Sequence, residues 1–177
     1  MFERLLPDQM VNSIYDIDLK RLKEQNVRGI IADLDNTLVS AKTPYATPEL
    51  ISWLNRVREA GFKVVILSNN NRKRVGDFAE PLDLPFVHAA RKPIGSAFRK
   101  ALKKLELEPQ ETVVVGDQLV TDMLGGRRLG MRTILVNPID RSEDGPWTRL
   151  NRMIERMALR RLRRKGLWPL KEGDDRA

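Results

Sequence analysis

Four short segments of this 177-residue chain carry side chains able to handle a phosphoryl group. They are Asp33-Leu34-Asp35-Asn36-Thr37-Leu38, Ser68-Asn69-Asn70, Arg91-Lys92-Pro93, and Gly116-Asp117 with Asp122. Together they offer a nucleophilic acid, a hydroxyl, a lysine and a metal-binding acid, which are the parts of a phosphoryl-transfer site. Singly, each is weak. Two acids after an apolar run also make an Asx turn, and Ser-Asn or Lys-Pro pairs are ordinary turn composition. Their order and their placement carry the reading.

Each segment stands where a strand should end. The first follows Val27-Arg28-Gly29-Ile30-Ile31-Ala32, the second closes Phe62-Lys63-Val64-Val65-Ile66-Leu67, and the fourth closes Thr112-Val113-Val114-Val115. In an open parallel sheet these carboxyl ends converge on one crevice, where ligands bind. The apolar patterning predicts strands at about Arg28–Ala32, Lys63–Leu67, Phe86–Ala89, Thr112–Val115 and Arg132–Val136. Helices are expected over Pro48–Ala60, Arg72–Ala79, Ile94–Leu105 and Val120–Leu129. Thr47 is the N-cap of the first of these, Pro48 its first residue, and Gly61 lies just past its end. Such alternation predicts an α/β three-layer sandwich around a parallel, Rossmann-like sheet. Only the eleven residues Asn36 to Ala46 separate Asp35 from Thr47, and a helix and a strand fill the gap between Ser68 and Lys92. Neither gap holds a domain. The site should be open from above, which favours a phosphate carried by something large.

The order Asp-x-Asp-x-Thr, Ser, Lys, Gly-Asp-x(4)-Asp resembles the haloacid dehalogenase (HAD) superfamily of phosphatases. The strings LPDQ, DLDNTLV, ATPEL, SNNN, ARKP, GDQLVTD and GGRRLGMRTILV are similar to its YqeG-type, subclass IIIA branch, related to the phosphatidylglycerophosphate phosphatases of cardiolipin synthesis. The resemblance runs from about Leu6 to Trp168 and implies a HAD-like fold without a large cap domain. It implies Asp33 as nucleophile and Asp35 as the acid that protonates the leaving group and then deprotonates water. Ser68 and the main chain at Asn69 would bind the phosphoryl oxygens, and Lys92 would neutralise their charge. Arg91 would sit on the rim. Asp33, Asp117 and the main-chain carbonyl of Asp35 would hold Mg2+. Thr37 and Asp122 would stand behind these ligands, Asp122 through water or by orienting Lys92. As an acid near a helix start, Asp122 is equally what a cap would be.

Composition narrows the rest. With no cysteine, disulfides, iron–sulfur clusters and thiolate zinc sites are excluded, and the lone His88 leaves no histidine-rich metal site. His88 reads as a structural or rim residue. No apolar run reaches the length of a membrane span, and the start of the chain lacks a secretory signal's apolar stretch, so a cytoplasmic location is expected. The net charge of +8 is concentrated: seven arginines and one lysine oppose only Glu155 between Trp147 and Lys165. The chain therefore divides into a phosphatase domain at 1–146 and a basic helix with a short tail at 147–177. Leu150, Met153, Ile154, Met157, Ala158 and Leu162 recur along that helix at helical spacing, with arginines on other faces and Trp147 and Trp168 bracketing it. Three readings stand open: a helix packed on the core with a solvated basic face, a peripheral contact with anionic lipid, or contact with nucleic acid. For the whole protein the resemblance implies a Mg2+-dependent phosphomonoesterase acting on phosphatidylglycerophosphate. The alternatives are a phosphatase for a sugar phosphate or nucleotide, and an RNA- or ribosome-associated module that keeps the fold.

Overall fold

A computed structural model describes residues 5–140, 146–166 and 168. Six parallel strands form one sheet: β1 (Gln9–Val11), β2 (Gly29–Ala32), β3 (Lys63–Leu67), β4 (Phe86–Val87), β5 (Thr112–Gly116) and β6 (Arg132–Val136), in the order β1-β6-β5-β2-β3-β4. The Val/Ile-rich central strands are buried on both faces, as a parallel sheet covered by helices requires. Alternation divides their side chains between two cores. Ile30, Ala32, Val64, Ile66, Val113 and Val115 meet helices α2 (Pro48–Glu59) and α3 (Arg72–Ala79) on one side. Ile31, Val65, Leu67 and Val114 meet α4 (Gly95–Leu105) on the other. This is the expected three-layer sandwich. The short α1 (Leu19–Glu24) and α5 (Leu124–Arg127) complete the layers.

The chain passes from β2 outward to β3 and β4, then returns to the other side of β2 to lay down β5 and β6. The sheet's switch in direction therefore lies between β2 and β5, whose register pairs Ala32 with Val115. Asp33 donates its N–H to the Val115 carbonyl at 2.9 Å, so the first motif leaves β2 directly beside the end of β5. No domain is inserted between Asp35 and α2 or between Ser68 and Lys92.

Four elements differ from the sequence-based expectation. The edge strand β1 and helix α1 were not predicted. β1 has three residues and no fully buried side chain, so it lacks the apolar signal of the others. Its anchor is Asp8, whose Oδ2 accepts from the Thr133 N–H at 2.8 Å and the Thr133 hydroxyl at 2.9 Å, and which also pairs with Arg127. The strand expected at Phe86–Ala89 stops at Val87, because Ala89 turns with φ +46°. The helix expected at Val120–Leu129 is a wide π-type turn over Leu119–Met123 followed by the single turn of α5.

The last helix, α6 (Pro146–Arg164), rests on that wide turn. Ala158 joins Leu119, Met123, Leu135 and Leu5 in a third, small apolar cluster. The expected apolar stripe is split. Ala158 and Leu162 are buried, whereas Met153, Ile154 and Met157 are exposed. The side chains of Trp147, Arg149, Leu150 and Arg152, and the tail at 169–177, lie outside the described residues.

Asp8→Ala should lower thermal stability by about 1–3 kcal/mol, since it leaves the fully buried Thr133 with unpaired donors. Chemical denaturation of the variant checks this.

Candidate active site

The strand ends bring the sequence motifs to one place. Asp33 follows β2, Ser68 follows β3, Asp117 follows β5, and Lys92 arrives on the loop after β4. Asp33, Ser68, Lys92, Asp117 and Asp122 are all buried. Lys92 Nζ lies 2.8 Å from Asp33 Oδ1 and 2.7 Å from Asp122 Oδ1. The Leu34 N–H also donates to Asp33 Oδ1, at 2.8 Å. Both bonds to Asp33 fall on one oxygen, which is thereby fixed.

Asp122 is aimed by its own turn. Its Oδ2 accepts from the Gln118 N–H at 3.2 Å while its Oδ1 accepts from Lys92. Position 116 must be glycine for this fold-back, because a Cβ there would overlap the Asp122 carboxylate. Thr37 donates its hydroxyl to Asp117 Oδ1 at 3.3 Å, tying the first motif to the fourth. The Ser68 hydroxyl accepts from the Asn70 N–H at 3.1 Å. Asn69 has a further task, since its side-chain carbonyl accepts from the Lys92 N–H at 2.7 Å and so fixes the lysine's backbone. Arg91 and His88 are exposed on the same loop, His88 tilted against Phe86.

Asp35 has partners that the sequence analysis did not identify. Its Oδ1 accepts from both Nη2 (2.9 Å) and Nε (3.2 Å) of Arg74 on α3, and its Oδ2 from the Asn70 amide at 3.1 Å. Arg74 also reaches the Pro44 carbonyl and lies over the Phe78 ring, 5.9 Å from its centroid. Its one visible signal is position: it falls in the first turn after the N-cap Asn71, directly behind the second motif. The loop is braced from the far side as well, where Ile139 donates its N–H to the Asn36 carbonyl at 3.0 Å.

The electrostatics follow from burial. Burial pushes the Asp33 carboxyl up to about 7 against the pull of Lys92, and the charge of Asp122 adds to the rise. Burial likewise raises Asp122 against Lys92, with Asp117 adding to it. Burial alone would lower Lys92, but Asp122 and Asp33 outweigh it and hold the ammonium above its ordinary range. Oxygens of Asp33, Asp117 and Asp122 all lie within 4.8 Å of one another. Three carboxylates against one ammonium leave an excess of negative charge, and the donors are all oxygen. That set fits a hard divalent cation such as Mg2+. Asp122 belongs to this cluster by distance, whereas the Asp35 carboxylate is turned to Arg74.

Comparison with known proteins agrees with this geometry. A HAD-hydrolase-like family model matches residues 89–138. The chain is 54% identical to the probable phosphatase YqeG of Bacillus subtilis over 161 residues, 91% of this chain and 93% of that one. It is 30% identical to phosphatidylglycerophosphate phosphatase 1 of Arabidopsis thaliana over 94% of this chain, and spans half the length of that protein. Among solved structures, a hypothetical protein of Xanthomonas campestris superposes with a TM-score of 0.54 at 16% identity, covering 82% of this chain and 79% of that one. The cobalt-bound deoxy-D-mannose-octulosonate 8-phosphate phosphatase of Haemophilus influenzae gives 0.51 at 13% identity, covering 85% and 98%. These two show the fold.

Two outcomes follow from the site. In metal-free protein the folded value of Asp33 lies above its unfolded value of about 4, so its contribution to stability is full below about pH 4 and lost as pH rises through about 7. The melting temperature of metal-free protein should therefore fall between about pH 5.5 and about pH 8. Mg2+ should raise it most at the upper end, and Asp117→Asn should remove most of that shift. A melting temperature indifferent to Mg2+ at about pH 8 would count against the metal site. If Asp35 is the acid that protonates the leaving group, Arg74→Ala should slow hydrolysis of an alkyl phosphate about tenfold or more and of p-nitrophenyl phosphate much less, because a good leaving group needs little protonation. Equal slowing of both would mean that Arg74 does not act through Asp35.

The motifs converge at the strand ends between β2 and β5, and the sequence matches YqeG over nearly its whole length: the chain belongs to the YqeG-type branch of the HAD phosphatases.

Proposed function

We propose that the protein is a Mg2+-dependent phosphomonoesterase that works through an aspartyl-phosphate on Asp33, and that its substrate is phosphatidylglycerophosphate. The observation that carries the chemistry is the buried contact of Lys92 with Asp33 and Asp122 beside Asp117, with Asp35 held apart by Arg74. In the first step an Asp33 oxygen attacks phosphorus, the bond to the leaving alkoxide breaks, and Asp35 supplies the proton that alkoxide takes up. In the second step Asp35 accepts a proton from water, the water oxygen attacks phosphorus, and the bond to Asp33 breaks to release inorganic phosphate. Lys92 neutralises phosphoryl oxygens in both steps, with the Ser68 hydroxyl and the main chain at Asn69 as further donors.

Asp33 and Asp117, with the Asp35 carbonyl, would hold the cation, and Asp122 orients Lys92 beside them. When bound, Mg2+ supplies charge that lets the carboxylates stay ionised next to a phosphate dianion. The chain's own residues do the rest: Thr37 holds Asp117, and Asn69 holds the Lys92 backbone.

The substrate reading is supported by the plant phosphatidylglycerophosphate phosphatase to which the chain aligns and by the lack of an inserted cap. A site open to bulky groups admits a phosphate carried on a lipid. A binding module without catalysis would have no use for both Asp33 and Asp35.

Asp33→Asn should abolish phosphate release, by a factor of about a thousand or more, with the fold intact by circular dichroism, because an amide cannot form the acyl-phosphate. The substrate is tested by phosphate release from phosphatidylglycerophosphate in mixed micelles beside sugar phosphates, nucleotides and a phosphopeptide. Preference for any soluble substrate over the lipid would overturn the lipid reading.

A further inference from the structure

We propose that the outward face of α6 is a docking surface for an anionic lipid bilayer. Met153, Met157, Arg160 and Arg164 follow one another at steps of four, three and four residues, so they lie along one side of the helix. All four are exposed. Met153 is 48% and Met157 54% accessible, with Ile154 beside them at 37%. Three large apolar side chains and two arginines thus share one solvent-facing stripe, apolar in the first half and cationic in the second. The opposite side is used: Ala158 and Leu162 are buried in the fold.

The helix's single acid is turned inward. Glu155 is 7% accessible and its Oε1 accepts from the Val120 N–H at 3.2 Å. Nothing negative on α6 therefore opposes an anionic partner, and the charge on this helix is the protein's main positive concentration. A basic face with methionine and isoleucine on it fits the interfacial mode, in which apolar side chains enter below headgroups that pair with arginine. Nucleic-acid phosphates would engage the arginines but leave Met153 and Met157 in water. A second copy of the chain would set one strongly cationic helix against another.

The surface is joined to the site. Val120, bonded to Glu155, lies in the same wide turn as Asp122, which orients Lys92. The proposal draws on the lipid-phosphate reading only for the purpose of the surface. Bilayer binding is a separate property and can fail or hold without it.

Binding is measured by co-sedimentation of full-length Asp33→Asn protein with vesicles of phosphatidylglycerol and phosphatidylcholine, and with phosphatidylcholine alone. The expected result is binding to the anionic vesicles only, weakened by salt. Arg160→Gln with Arg164→Gln should weaken it about 25-fold, at about fivefold for each arginine. Met153→Ser with Met157→Ser should weaken it as well, including in high salt where screening leaves the apolar part. Met157→Gln alone gives a milder version if the double variant melts early. In the wild-type background these substitutions should leave p-nitrophenyl phosphate hydrolysis unchanged. Equal binding to neutral vesicles, or anionic binding untouched by the substitutions, would overturn the proposal. So would single-stranded RNA that displaces the protein from vesicles and binds equally well to the methionine variants, which would assign the face to nucleic acid. Intact vesicle binding by a protein that ignores lipid phosphates would fault the substrate reading alone.

Discussion

Everything near the active site answers to one imbalance: three buried carboxylates, from Asp33, Asp117 and Asp122, share one buried ammonium. Charges taken out of water are costly unless they are paired or neutralised. Lys92 satisfies two of the acids at once, which is why its backbone is pinned by Asn69 and its loop enters the αL region at Ala89 and Arg91. The remaining negative charge is what a divalent cation would neutralise. The parallel sheet makes this concentration possible, because its switch point delivers separate chain segments to one crevice without any of them having to turn back.

A second layer of contacts keeps the two leading acids distinct although only Leu34 separates them in sequence. Asp33 faces Lys92, and Asp35 faces Arg74 and Asn70. One carboxylate thus belongs to the buried charge cluster and the other to a partly buried ion pair on the α3 side. Two environments for two adjacent acids are what separate chemical roles demand.

Much of this was legible in the sequence, where physical chemistry acts locally. Thr47 caps α2 as expected, accepting from the Leu50 N–H at 3.2 Å, and the helix runs from Pro48. The central strands announced themselves through runs of valine and isoleucine buried on both faces. What stayed hidden depends on distant partners. β1 has no apolar signal of its own and is held through Asp8 by Thr133. Arg74 carries no motif, and its importance arises only when α3 packs beside the first loop. The wide turn at Leu119–Met123 reads as ordinary helix in sequence. The apolar spacing in α6 correctly suggested a helix, but periodicity alone could not say that Ala158 and Leu162 would be covered while Met153 and Met157 were left out.

The place of β1 in the sheet also has a consequence for biosynthesis. Among the described residues its neighbour in the sheet is β6, and the bonds from Asp8 to Thr133 close a separation of 125 residues. As the chain emerges from the ribosome, β2, β3 and β4 can associate early, whereas the first strand has no edge to join until β6 has appeared. At ordinary elongation rates that delay is on the order of ten seconds. During it the amino-terminal segment stays unpaired, and the half of the sheet built around β2 must persist with its β5 edge uncovered. Completion of the fold is thus a late, long-range event, and a nascent chain stalled before β6 would hold Asp33, Lys92 and Asp122 without the edge that closes the sheet beside them.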